Sequence, residues 1–195
     1  KVLDPACGSG SFLIAAYDKI LETLTKQTSQ ASLFTKFYIL KENIFGVDLD
    51  AQAVEIAQLN LLLKVLSQKA KLPTLQHNLR VGNSLISEGD PKYKPFNFEI
   101  EFKEVLAQGG FDVIIGNPPY IKEYTNRTAF DGLHDSPYYQ GKMDIWTLFA
   151  CRAIDLLKDG GYFSFIAPNN WLTNAGASIF RDKILSEGQI IKFVD

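Results

Sequence analysis

Three short segments of this 195-residue chain carry side chains whose types and spacing suit chemistry. Asp4-Pro5-Ala6-Cys7-Gly8-Ser9-Gly10 ends a short apolar run in an acid, then turns through Gly-x-Gly into a helix-like stretch. Glycines at such a turn let backbone approach a ligand closely, and the helix start offers free N–H groups. A dinucleotide fingerprint would place a third glycine where Leu13 stands, and the Gly-Lys-Ser/Thr of a phosphate loop is absent. The segment therefore reads as a pocket for a ligand without a pyrophosphate, or as a plain tight turn. Asp48 ends a second apolar run; an acid there in a doubly wound sheet accepts bonds from ribose hydroxyls. Its bland alternative is a helix cap, which Asp50 suits better. Leu49 either lies on an adenine face or belongs to the core. In Asn117-Pro118-Pro119-Tyr120, proline removes donors and stiffens the chain, Asn117 adds a side-chain carbonyl and Tyr120 a flat ring. Two acceptors beside a stacking ring suit the exocyclic amino group of a planar base; the alternative is a strand-ending turn.

Other reactive residue types offer less. Cys7 and Cys151 are too few for a disulfide framework or a zinc site, and neither has a neighbouring base that would make it a nucleophile. His77 and His134 are isolated, so no metal site is expected. Lys and Arg number 20 against 22 Asp and Glu, a formal charge of −2, which excludes a module that holds nucleic acid by bulk charge alone. No apolar run approaches a membrane span of about 20 residues and no signal peptide opens the chain, so a cytoplasmic protein is expected. The chain starts at Lys1 and its one methionine is Met143, which reads as a piece of something longer.

Positioning these segments requires strands that alternate with helices, the pattern of an α/β fold, doubly wound around a mostly parallel sheet. Strands are predicted at Val2–Asp4, Ile44–Val47, Leu79–Gly82, Phe111–Gly116, Tyr162–Ala167 and Ile190–Val194. A helix is predicted from Ser11 with Leu13, Ala16, Ile20 and Leu24 on one face, followed by a loop over Thr25–Ser32. Asp50 is expected to cap a helix carrying Val54, Ile56, Leu59, Leu61, Leu62, Leu63, Val65 and Leu66, apolar almost all round and so deeply buried. Glu88–Phe98 reads as loop, Glu101–Gln108 as a short helix, and 121–141 as a long functional loop. Asp144 is expected to cap a helix with Ile145, Phe149, Ala153 and Leu156 inward, stopped by Gly160-Gly161. Ser178–Leu185 reads as the last helix.

The ordered set Asp4-Pro5-Ala6-Cys7-Gly8-Ser9-Gly10-Ser11-Phe12-Leu13, Gly46-Val47-Asp48-Leu49-Asp50, Gly82-Asn83-Ser84-Leu85 and Ile115-Gly116-Asn117-Pro118-Pro119-Tyr120 resembles the S-adenosylmethionine-dependent DNA adenine-N6 methyltransferases. It looks most like the methylase part of proteins that fuse restriction and modification in one chain. The likeness continues through Met143-Asp144-Ile145-Trp146 and Gly161–Trp171, covering nearly the whole chain as one catalytic domain, 1–195. The resemblance implies a truncated Rossmann-like methyltransferase sheet, with an N-terminal helix, a last strand and a DNA-recognition domain outside this sequence. It implies S-adenosylmethionine as cofactor, with Asp4, Ala6 and Gly8 at its methionine part, Asp48 at the ribose, Leu49 on the adenine and Asn83 at the adenine edge. Asn117 and the Pro118 carbonyl would accept the target amino protons, Tyr120 would stack on the flipped base, and Phe149 would either wall the pocket or sit in the core. Implied partners are double-stranded DNA and the recognition and nuclease domains of a parent chain, in a bacterial or archaeal cytoplasm. Two other readings stay open: an N-methyltransferase acting on RNA bases or protein glutamine, and a non-catalytic cofactor-binding scaffold. Leu13 disfavours a nicotinamide oxidoreductase.

Overall fold

Two apolar residues and an acid, Val2–Asp4, form β1 and are buried at every position, as the central strand of a sheet requires. The computed structural model describes residues 1–26, 32–65 and 73–194. Around β1 lie β2 (Ile44–Asp48), β3 (Leu79–Val81), β4 (Phe111–Gly116) and β5 (Leu157–Phe165), in the order β3-β2-β1-β4-β5 with every pairing parallel. All five strands thus point their carboxyl ends the same way, the edge where open α/β sheets bind ligands.

Alternation along β2 sorts the two layers. Ile44 faces a core of Leu13, Tyr17, Ile39, Leu40, Val54 and Leu61, supplied by helices α1 (Ser11–Thr25), α2 (Leu33–Asn43) and α3 (Ala51–Val65). Phe45 and Val47 face the other core, with α4 (Phe98–Glu101), α5 (Lys103–Leu106) and α6 (Trp146–Leu156). There Phe45, Phe102 and Phe111 meet edge to face at 5.4–5.9 Å, the geometry favoured by the ring quadrupole. The last helix, α7 (Ser178–Glu187), packs Phe180 against Trp146 and Trp171.

Several sequence expectations change. Helix α2 is an addition: Ser32 begins it, its hydroxyl accepting from the Thr35 amide at 3.1 Å. Of the loop expected over Thr25–Ser32, Thr25 belongs to α1, and residues 27–31 lie outside the described residues. Helix α3 is buried along one side only, through Val54, Ala57, Leu61 and Val65, while Ile56, Leu59 and Leu63 are about half exposed; Leu66 lies outside the described residues. An apolar composition all round does not bury a helix that has a sheet on one side only. Within the predicted loop Glu88–Phe98, Pro91–Tyr93 forms one 3₁₀ turn and Phe98 already starts α4, so two short helices replace the single one expected at 101–108.

Helix α6 passes directly into β5 at Leu157, ahead of Gly160-Gly161. Those glycines lie inside β5, where the register jumps from Phe111↔Leu157 to Val113↔Tyr162. Gly160, at φ +75°, takes the left-handed turn that this bulge needs. Asp144 does not cap α6 by its side chain; its backbone carbonyl accepts from the Thr147 amide at 3.1 Å. Residues 190–194 form no strand. Ile191, Phe193 and Val194 are exposed, and Phe193 stacks on Trp171 with centroids 5.9 Å apart, so the segment adds no ladder to β5.

Candidate active site

Every residue singled out for cofactor or substrate lies at the carboxyl end of a strand: Asp4 to Gly8 after β1, Asp48 and Leu49 after β2, Asn83 after β3, and Asn117 to Tyr120 after β4. Specific bonds tie the four loops together. The Gly8 amide donates to Asp48 Oδ2 at 2.8 Å and the Cys7 amide to the Val47 carbonyl at 3.0 Å, joining the first loop to the second. The buried Ser84 hydroxyl donates to the Pro5 carbonyl at 2.6 Å, joining the third to the first. Gly116 closes the set, because a Cβ there would stand 2.8 Å from Asp4 Oδ1. Only hydrogen at that position lets β4 pass the Asp4 carboxylate.

Asp4 is 1% exposed and accepts the Ala6 amide at 3.0 Å. Burial raises its pKa to about 7; the Ala6 amide opposes that shift and the Asp48 charge adds to it. A buried carboxylate in this state gains from any cation placed beside it. Gly8 adopts φ +50° with nothing within 4 Å of where a Cβ would stand, so its backbone borders open space. Asp48 is half-buried, its Oδ1 accepting the Asp50 amide at 3.0 Å. Asp50 in turn accepts the Gln52 amide at 2.9 Å, leaving the cap of α3 to Asp50. Leu49 is exposed, an apolar surface beside that acid. The Asn83 side-chain oxygen is held by the Leu85 amide at 3.0 Å, so its NH₂ is the end left for a ligand.

Open backbone at Gly8, an acid that a cation would stabilise, a carboxylate beside an exposed leucine and an amide donor fit S-adenosylmethionine. On the roles that the resemblance implied, Gly8 and Asp4 would face its methionine and sulfonium portion, Asp48 its ribose, and Leu49 and Asn83 its adenine.

Beyond β4, Asn117 is exposed, Pro118 buried and Tyr120 45% exposed. Tyr120 Oη donates toward the Asn117 side-chain oxygen and stands 2.8 Å from the Ile166 carbonyl. Burial, aided by the Asp144 charge, raises the Tyr120 pKa, so the ring stays neutral. Segment 121–123 is then clipped to the start of α6: the Glu123 amide donates to the Met143 carbonyl and the Ile145 amide to the Ile121 carbonyl, at 3.0 and 2.9 Å. Glu123 also receives the Tyr139 hydroxyl and the Lys142 amide, which fastens the far end of the 121–141 loop; Phe130, fully buried, anchors its middle. Phe149 packs in the cluster beneath this loop, 8% exposed, as a core aromatic.

Burial pushes the thiols of Cys7 and Cys151 upward, the latter to about 12, so both stay protonated and unreactive. Among the described residues no group of three or more His, Cys, Asp or Glu is placed to hold a metal ion, and no helix is long and apolar enough to cross a membrane. Sequence reasoning read Asp144 only as a helix cap and missed Ile166. Asp144 is 4% exposed with Oδ1 unpartnered; its signal was an acid inside the apolar run Met143–Trp146. Ile166 acts through its backbone, which no side-chain pattern marks.

The model of the family described as Eco57I restriction-modification methylase matches residues 42–195. The type II restriction enzyme and methyltransferase RM.Eco57I of Escherichia coli is 32% identical over 98% of this chain and 22% of its own length. The adenine-specific methyltransferase PglX of Streptomyces coelicolor is 28% identical over 81% of this chain and 15% of its own. This chain therefore spans about a fifth of the length of such relatives. Among solved structures, a nuclease-deletion mutant of the Type ISP restriction-modification enzyme LlaGI, in complex with a DNA substrate mimic, superposes with a TM-score of 0.66 at 18% identity, over 95% of this chain and 17% of the other. That likeness bears on the fold, a second instance of the same α/β arrangement. With the match spanning 154 consecutive residues through three of the four strand-end segments, the chain belongs to the Eco57I restriction-modification methylase family.

Proposed function

We propose that this domain transfers a methyl group from S-adenosylmethionine to the N6 amino group of an adenine flipped out of duplex DNA. The observation that carries the reading is the pairing, on one loop, of an exposed Asn117 and a half-exposed Tyr120 ring at the same carboxyl edge of the sheet that carries Asp4, Gly8, Asp48 and Asn83. S-adenosylmethionine would supply an electrophilic methyl group. The chain's own part is positioning. Asn117 Oδ1 and the Pro118 carbonyl accept the two amino protons, which turns the nitrogen lone pair out of the base plane toward the methyl group. The Tyr120 ring stacks on the base, returning about 1–3 kcal/mol of the cost of unstacking it. Holding both reactants in line makes a bimolecular displacement effectively unimolecular. The names of relatives support the target class: DNA in DNA methyltransferase A of Bacillus subtilis, and adenine in PglX. Recognition and cleavage, on this reading, belong to other domains of the parent protein.

The test is methyl transfer by the full-length protein from labelled S-adenosylmethionine to unmethylated duplex DNA, RNA and protein glutamine in parallel. N6-methyladenine in the DNA digest is the expected product. Label in RNA or protein instead would select the other N-methyltransferase reading, and label in none of them the scaffold.

A further inference from the structure

Tyr120 Oη faces two acceptors, the Asn117 side-chain oxygen and the Ile166 carbonyl, 2.8 Å away. A phenol has one proton. If it goes to Asn117, the Ile166 carbonyl meets an oxygen with nothing between them, and the Asn117 NH₂ is turned toward the place where an amino group must arrive. Two donors would then face each other. A half-turn of the Asn117 amide about Cβ–Cγ exchanges its two ends at no cost in shape. In that rotamer Asn117 Nδ2 donates to Tyr120 Oη, the hydroxyl donates to the Ile166 carbonyl, and both contacts pair a donor with an acceptor. The amide oxygen then faces outward as an acceptor.

The far end of this chain of bonds is rigid. Ile166 directly follows β5, and its amide donates to the Gly116 carbonyl at 3.1 Å, the residue immediately before Asn117. A carbonyl fixed to the same strand end as Asn117 cannot drift relative to it, and a backbone carbonyl can only accept. It therefore dictates the direction of both hydrogen bonds.

We infer that the Tyr120 hydroxyl, oriented by the Ile166 carbonyl, selects the Asn117 rotamer whose oxygen faces the target amino group. Tyr120 then has two separable duties: its ring stacks on the base and its hydroxyl positions Asn117. This rests on the proposed methyl transfer to an amino group and adds a positioning residue to it. It also revises the expectation from ring stacking alone, under which Tyr120→Phe would be mild and leave Asn117 undisturbed.

The experiment compares the full-length protein with its Tyr120→Phe and Asn117→Ala variants, using unmethylated plasmid DNA and labelled S-adenosylmethionine. Tyr120→Phe keeps the ring, so KM for DNA and the cofactor dissociation constant should stay within about twofold. Its kcat should fall roughly 3- to 10-fold, the factor carried by one neutral hydrogen bond. A second readout needs no turnover: in selectively ¹⁵N-asparagine-labelled protein, the Asn117 NH₂ resonances should shift and exchange faster in Tyr120→Phe. An unchanged kcat overturns the inference, and so does a fall in kcat with the Asn117 resonances unmoved. Full activity in Asn117→Ala would instead remove the methyl-transfer reading itself, so the two failures are distinguishable.

Discussion

The backbone amide of Gly8 donates to the Asp48 carboxylate at 2.8 Å, so the acid at the end of β2 braces the turn that follows β1. Asp48 has two jobs at one site: one oxygen holds Gly8, the other holds the Asp50 amide, and lone pairs remain on both for a ribose. Replacing it with alanine removes acceptor and brace together. Cofactor affinity should weaken by about 10- to 100-fold, the value of a charge-assisted hydrogen bond of roughly 1.5–3 kcal/mol. Calorimetric titration checks this, and an unchanged dissociation constant would reject the ribose assignment.

Asn117→Ala should separate binding from turnover. On the proposed reading its acceptor serves the target amino group and not the cofactor, so the interaction exists on the way to the transition state and not in the cofactor complex. Turnover should fall by about 10²- to 10³-fold, the range seen when one positioned polar group at a reacting centre is lost. Cofactor affinity should stay within about twofold. Parallel loss of both would mark Asn117 as a wall of the cofactor pocket.

Burial raises the Asp4 pKa from 3.8 to about 7, which makes two pH dependences visible. The folded state holds its proton more tightly than the unfolded chain, so the unfolded state binds fewer protons between about pH 4 and 7. Stability contributed by Asp4 should accordingly fall as pH rises across that window. A bound sulfonium favours the ionised carboxylate, so cofactor affinity should rise from pH 6 to 8 and then level off. Asp4→Asn should flatten both profiles, measured by chemical denaturation and by titration at each pH. Profiles that keep their slope in the variant would assign the titration to another group.

Gly10→Ala should destabilise the domain without touching a ligand. Gly10 sits at φ +86° where α1 begins, and a Cβ there would stand 3.0 Å from that of Ala57 on α3. Left-handed strain costs about 1–3 kcal/mol, and separating α1 from α3 adds to it. A lower denaturation midpoint is expected, with binding affinity per folded molecule preserved.

The strand-end segments were legible in the sequence because their marks are side chains: an acid or asparagine ending an apolar run, then glycine or proline. What escaped depends on neighbours. Ser32 carries a capping signal for α2, but Thr25 to Ser32 is polar except for Ala31 and hides it. Gly160-Gly161 looks like a helix stop from sequence, yet α6 has already ended at Leu156 and the pair serves a bulge in β5. Residues 190–194 are apolar except for Lys192 and read as a strand, but within the described residues no ladder receives them. At the site, the types of Asn117 and Tyr120 were readable. Their hydroxyl-to-amide contact was not, because its third member is a main-chain oxygen 46 positions along the sequence from Tyr120.

The bulge at residues 158–161 acts as a slack-taker for the strand above it. After it, four successive rungs from Val113↔Tyr162 to Gly116↔Phe165 count out the distance to Ile166, so the ruler that sets the Ile166 carbonyl starts at Tyr162 and not at α6. Changes in length below Tyr162 can be swallowed by the loop of extra residues at the base of the sheet. A single residue added above it would turn each later side chain to the opposite face and carry the carbonyl away from Tyr120. Evolution or an engineer is thus free to edit the foot of β5 while its tip stays in calibration.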